Sequence, residues 1–159
     1  MKYLSALVLS TLLFMSCDKD CGNTHSSDFD YLVFGHFFGE CGGEGCIEIY
    51  KLEEDRLLED SKDKYPSTDF YNGSFGQLED SLFQKVKYLI DILPSELLQN
   101  DSTEIFGHPD AGDWGGYYFE FRNDSLHQSW LIDNAENQLP TYLIDFKNEM
   151  GVAIQLINQ

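Results

Sequence analysis

The apolar residues of this chain change their period at Leu78, and that change fixes the class of fold. Before it, short aromatic and β-branched segments alternate or run apolar on both faces. After it, Leu78, Leu82, Val86, Leu89 and Leu93 recur at spacings of 4, 4, 3 and 4, the stripe of an amphipathic helix. Pro94 ends that stripe, because it has no N–H to give and disfavours α geometry in the residue before it. A helix over 78–93 is therefore expected. A second is expected over 140–157, with Pro140 in its first turn and Leu139, Leu143, Phe146, Met150, Ala153 and Ile157 on one side. Gly151 weakens the second helix, and 152–156 also reads as a strand.

The strands come from two regions. Phe29 to Phe38 is apolar on both faces, the mark of a central or well-covered strand. The turn from Gly39 to Gly45 holds four glycines in seven positions, and Cys46 to Leu52 then alternates. Arg56 to Glu59 reads as a third short strand, and 60–76 as a loop. Tyr117 to Arg122 and Leu126 to Asp133 form a second hairpin around Asn123-Asp124-Ser125. The expected class is α+β: an antiparallel sheet from two hairpin regions, two amphipathic helices packed on one face, and the other face free for a partner.

The N-terminus sets a different constraint. Lys2 is followed by an uncharged, Leu-rich stretch from Tyr3 to Met15, too short for the ~20 residues of a membrane-spanning helix and suited to an export signal. Ser16 is small, but Phe14 does not suit the ordinary signal peptidase. Leu13-Phe14-Met15-Ser16-Cys17 resembles a bacterial lipoprotein signal, with Phe14 where Leu is usual. The resemblance implies that 1–16 is removed and that Cys17 carries the lipid. Residues 17–28, polar and glycine-containing, would then be a flexible tether, and 29–159 a single domain. The implied location is the bacterial cell envelope, at the outer membrane or cell surface, with the leaflet left open.

Charge narrows the partners. Asp and Glu number 28 against 10 Lys and Arg, a net charge of −18, and removing Lys2 with the signal makes the remainder one unit more negative. Nucleic acid and anionic lipid headgroups both need clustered basic residues, so neither is an expected partner. Membrane attachment would run through the lipid on Cys17 alone. A basic protein or a glycan fits better, and one variant of that reading is an inhibitor of a cationic enzyme such as a lysozyme.

Two constellations could carry chemistry. Cys41 and Cys46 lie five apart in a glycine-rich turn, where cross-strand neighbours reach bonding range. Export favours a disulfide. The alternatives are free or buried thiols, or a thiolate metal site supplemented by His36 and His108. Cys21 has no evident partner. The second is Gly107 to Gly116, with His108, Asp110, Asp113 and Trp114 on a tight loop. A His-Asp set can move protons or hold a divalent metal, but Asp and Gly are also ordinary turn residues and Trp114 can cap a core. No catalytic residue, cofactor or metal is assigned. A small hydrolase or metal-dependent enzyme on His36, His108, Asp110 and Asp113 is the alternative to a non-enzymatic binding module.

Phe34-Gly35-His36-Phe37-Phe38-Gly39-Glu40-Cys41, Gly45-Cys46 and Tyr50-Lys51-Leu52, with Gly115-Gly116-Tyr117-Tyr118 and Leu139-Pro140-Thr141-Tyr142-Leu143, resemble the segments of a family of small bacterial envelope lipoproteins. The likeness spans most of 30–157 and implies an envelope location without any activity. Some members carry cysteines at the positions of His108 and Ala111, so thiol chemistry is not implied for that loop here.

Overall fold

The computed structural model describes residues 29–43, 45–99 and 104–159. The signal at 1–16, the tether at 17–28, Cys17 and Cys21 lie outside the described residues. The chain is α+β. Its strands are β1 (Tyr31–Phe37), β2 (Ile47–Leu52), β3 (Leu57–Asp60), β4 (Phe75–Gln77), β5 (Glu104–Phe106), β6 (Gly116–Arg122) and β7 (His127–Asp133). They form one open sheet in the order β4-β3-β2-β1-β6-β7-β5, antiparallel except for β5, which runs parallel to β7. The helices are α1 (Asp80–Val86) and α2 (Thr141–Ile157).

Alternation on the central strands builds two cores. Leu32 and Phe34 of β1, Tyr50 and Leu52 of β2, Phe119 and Phe121 of β6, and Trp130 and Ile132 of β7 point to one side. There they cluster with Phe83 and Val86 of α1 and Leu143, Phe146, Met150 and Ala153 of α2. Val33, Phe37, Ile49 and Tyr118 point to the other side and meet Tyr71 and Phe75. This second core corrects the expectation of a free face: residues 61–74 cross it as a strap. The apolar character of both faces of 29–38 already required such cover, since a bare Val33-Phe37-Ile49 face would leave large apolar area in water.

The first helix is shorter than its stripe. The α geometry ends at Val86 and Lys87–Ile90 continues as a 3₁₀ turn. Phe83, Val86 and Leu89 are buried at intervals of three, which a helix of three residues per turn keeps on one side. Leu78 and Leu93 fall outside it and pack as partly buried flanks. Pro140 precedes α2 instead of lying within it. The helix continues through Gly151, so 152–156 is not a strand. A Cβ at Gly151 would lie 2.9 Å from the Tyr117 hydroxyl, which accounts for glycine at that point of the helix.

Candidate functional site

The register gives the sheet two distinct ends. Tyr31 lies opposite Arg122 and Arg122 opposite His127, whereas Phe37 lies opposite both Ile47 and Gly116, and Gly116 opposite Asp133. The chain enters β1 at the first end. Six residue steps at ~3.3 Å put the second end roughly 20 Å away. The loop 107–115 and the turn 38–46 both emerge there.

In the turn, Cys41 and Cys46 are joined by a disulfide, so neither is available as a free thiolate. In the loop, the backbone takes five positive φ angles, at Gly107, Asp110, Gly112, Asp113 and Gly115, a conformation open to glycine and tolerated by Asp. The Asp110 carboxylate braces it. Its Oδ1 accepts the Gly115 N–H at 2.9 Å and its Oδ2 the Tyr65 hydroxyl at 2.7 Å. Burial raises the Asp110 pKa, but the Tyr65 hydroxyl and the N–H groups of Gly39 and Gly115 outweigh it and hold the carboxyl below its ordinary value. Tyr65 moves the other way, to about 12, through burial, its hydrogen bond to Asp110, and the charges of Asp110 and Asp113. The His108 N–H donates to Asp133 at 2.8 Å, and Asn134 Nδ2 donates to the Trp114 carbonyl at 3.1 Å. On this frame the Trp114 side chain is left 71% exposed.

The other residues expected to act with this loop do not join it. His36 sits on the α2 side of the sheet, with Nε2 3.0 Å from the Gly45 carbonyl and 3.8 Å from Glu48. Asp110, braced by the strap residue Tyr65, belongs to the opposite side. The His108 ring is exposed and makes no hydrogen bond or ion pair among the described residues. Among the described residues no group of three or more His, Cys, Asp or Glu side chains is placed to hold a metal ion.

A polar cluster that the sequence pattern hides lies beneath the strap. Glu120 is 1% exposed. Its Oε1 accepts the Tyr31 hydroxyl at 2.9 Å and lies 2.9 Å from His127 Nε2. Its Oε2 accepts the Tyr118 hydroxyl at 2.6 Å and the Tyr71 N–H at 2.8 Å. Phe70 stacks on His127 with ring centres 3.5 Å apart. Burial and the Glu120 charge push the Tyr118 pKa far upward, so that phenol stays a donor. Four partners satisfy one buried carboxylate, which is what burial of a charge requires. The signal for it was the period of β6: Tyr118 and Glu120 share a face, and the register puts Tyr31 and His127 beside them.

Exposed acidic residues also line a cleft of about 570 Å³, where Glu59 and Asp63 stand with the half-buried Glu48 and with Asn158. Comparison with protein-family models and with curated proteins finds no match.

Proposed function

We propose that this chain is a lipid-anchored protein of the bacterial cell envelope and acts as a non-enzymatic binding module for a basic partner. In this reading it belongs with the envelope lipoproteins its segments resemble. Residues 1–16 are its signal, Cys17 carries the lipid, and 17–28 hold the domain away from the membrane. The two hairpin regions, with two helices on one face, serve as scaffold. Among the described residues no helix is long and apolar enough to cross a membrane, and a lipid on Cys17 would supply the attachment.

One observation carries the choice of a basic partner: several of the few cations are used internally, while the acidic surplus stays at the surface. Lys147 is 3% exposed, with Nζ on the Asn134 carbonyl and Glu136. Lys51 pairs with Glu53 at 3.0 Å and lies over the Tyr31 ring. Arg56 pairs with Glu53, and Arg122 with Asp30. Exposed surface pairs contribute little to stability, but they do cancel positive charge. A net charge of −18, one unit more negative once Lys2 leaves with the signal, then presents a negative field that accelerates encounter with a cationic protein and repels acidic ones.

The anchor is tested by metabolic labelling with palmitate: the wild type takes up label and Cys17→Ser does not. Equal labelling of both would remove the anchor from the account. Crosslinking and pull-down of the lipidated protein from its own envelope tests the partner. A protein of high isoelectric point is expected, and recovery of only acidic proteins or nucleic acid contradicts the reading.

A further inference from the structure

We propose that the end of the sheet remote from the chain's entry into β1, centred on Trp114, docks a basic segment of the partner protein, with a Lys or Arg side chain lying on the indole and pairing with Asp113. This rests on the reading of the chain as a binding module for a basic partner, and adds where that partner binds and what it presents.

Single exposed apolar residues are ordinary. Trp114 differs in how it is held. Among the described residues it is the most exposed of the large hydrophobic side chains at 71%, yet the peptide group after it is held at both atoms, by Asp110 on the Gly115 N–H and by Asn134 on the Trp114 carbonyl, and the Asp113 N–H before it donates to the Asp110 carbonyl at 3.2 Å. Gly112 packs against the edge of the indole, where a Cβ would come 3.4 Å from Cδ1. Tyr65, itself 44% exposed, is clamped beside the loop through Asp110 and stands against Phe37, ring centres 5.0 Å apart. An aromatic side chain on a braced loop needs little backbone ordering on binding, and Trp is enriched among the side chains that dominate interfaces.

The charges around this platform select the occupant. Asp113 directly precedes Trp114 in the loop, at φ 62°, with its N–H on the Asp110 carbonyl at 3.2 Å, which places it in the same patch. Glu40 is exposed on the adjoining disulfide-closed turn. Among the described residues no Lys or Arg pairs with Asp113 or Glu40. An exposed indole with one unneutralised carboxylate beside it in the loop and another on the adjoining turn suits a cation within ~6 Å of the ring centre. A neutral glycan would gain nothing from those charges. Position agrees with this: if Cys17 is anchored, the tether joins the domain at the other end of β1, so this end is the one remote from the point of attachment.

The test uses the full lipidated chain in detergent micelles and nona-arginine as probe, titrated by calorimetry and by tryptophan fluorescence. The chain has two tryptophans, and Trp130 is fully buried, so a probe-dependent emission change reports Trp114. Trp114→Ala is expected to weaken binding roughly fivefold to tenfold, and Asp113→Asn with Glu40→Gln to weaken it by a similar factor. Asn keeps the positive-φ tolerance that position 113 needs. Glu54→Gln with Asp124→Asn, on turns at the entry end, and Glu59→Gln in the acidic cleft are expected to change it less than twofold. Equal weakening by all four variants overturns the docking site while leaving a diffuse basic-partner reading intact. Absence of any binding overturns both. An emission change with a neutral chitooligosaccharide, and none with nona-arginine, identifies the patch as a glycan site and also overturns the proposal.

Discussion

The backbone N–H of Tyr71 donates to the buried Glu120 carboxylate at 2.8 Å, and this bond ties the strap to the centre of the sheet. Tyr71 also sends its hydroxyl to Asp60 at 2.7 Å, so one residue is held at both ends. Glu120→Ala would strand four donors or polar partners under the strap. At 1–3 kcal/mol for each unsatisfied buried group, a loss of at least about 3 kcal/mol is expected from urea denaturation. Amide exchange across 61–74 should rise far more than exchange in α2. Uniform change in both would show that the strap is not an independently held unit.

Asp60 makes part of that attachment sensitive to acid. Burial raises its pKa, but the Tyr71 hydroxyl and the N–H groups of Ser74, Lys62 and Lys64 more than offset this and lower it overall. A carboxyl with a lowered folded-state pKa contributes stability that is fully present above its unfolded pKa of about 3.9 and is lost as pH falls through the folded value. Asp60→Asn should therefore lower the urea midpoint at pH 7, and the difference from wild type should shrink steadily below about pH 4. A difference that grows on acidification would contradict the assignment.

The Cys41–Cys46 bond closes a small loop, with a sequence separation of 5. Chain entropy then gives a contribution of about 2 kcal/mol. Replacing both cysteines by Ser should cost about that amount while leaving amide exchange in β6 and β7 unchanged. A fully unfolded double variant would mean that the bond holds more than its own turn.

Gly151 offers a test of close packing. Alanine in place of a helical glycine ordinarily stabilises by about 0.5–1 kcal/mol. Here the new Cβ would meet the Tyr117 hydroxyl at 2.9 Å, and the next ring atom only at 3.8 Å. Gly151→Ala alone should bring no gain, whereas in a Tyr117→Phe background it should recover about 0.5–1 kcal/mol. Additive behaviour of the two changes would show that the hydroxyl is not the obstacle.

What the sequence made legible follows from local periodicity. The strands around Phe34, Ile49, Phe119 and Trp130 and the α2 stripe from Leu143 to Ile157 each carry their own pattern. The parallel β5 and the three-residue β4 do not, because strands so short take their geometry from Ile132 and Leu58, to which they pair. Glu120 was hidden for the same reason. Within Tyr117 to Arg122 it reads as a solvent-facing residue, and the arrival of Tyr71, 49 positions away, is what no local pattern announces. The loop around Trp114 was visible as residue types, but the bond from Tyr65 to Asp110 that braces it spans 45 positions, beyond the reach of any local pattern.

Electrostatic capture of a basic protein shows itself in the rate of association. Stopped-flow association of the lipidated chain with a lysozyme, and with the same lysozyme acetylated on its lysines, should be followed from low salt to above physiological ionic strength. The unmodified lysozyme should associate at least about tenfold more slowly at the high-salt end, since surface charges more than ~10 Å apart are screened at 0.1 M. The acetylated form should be slow throughout. A rate indifferent both to salt and to acetylation would contradict electrostatic capture.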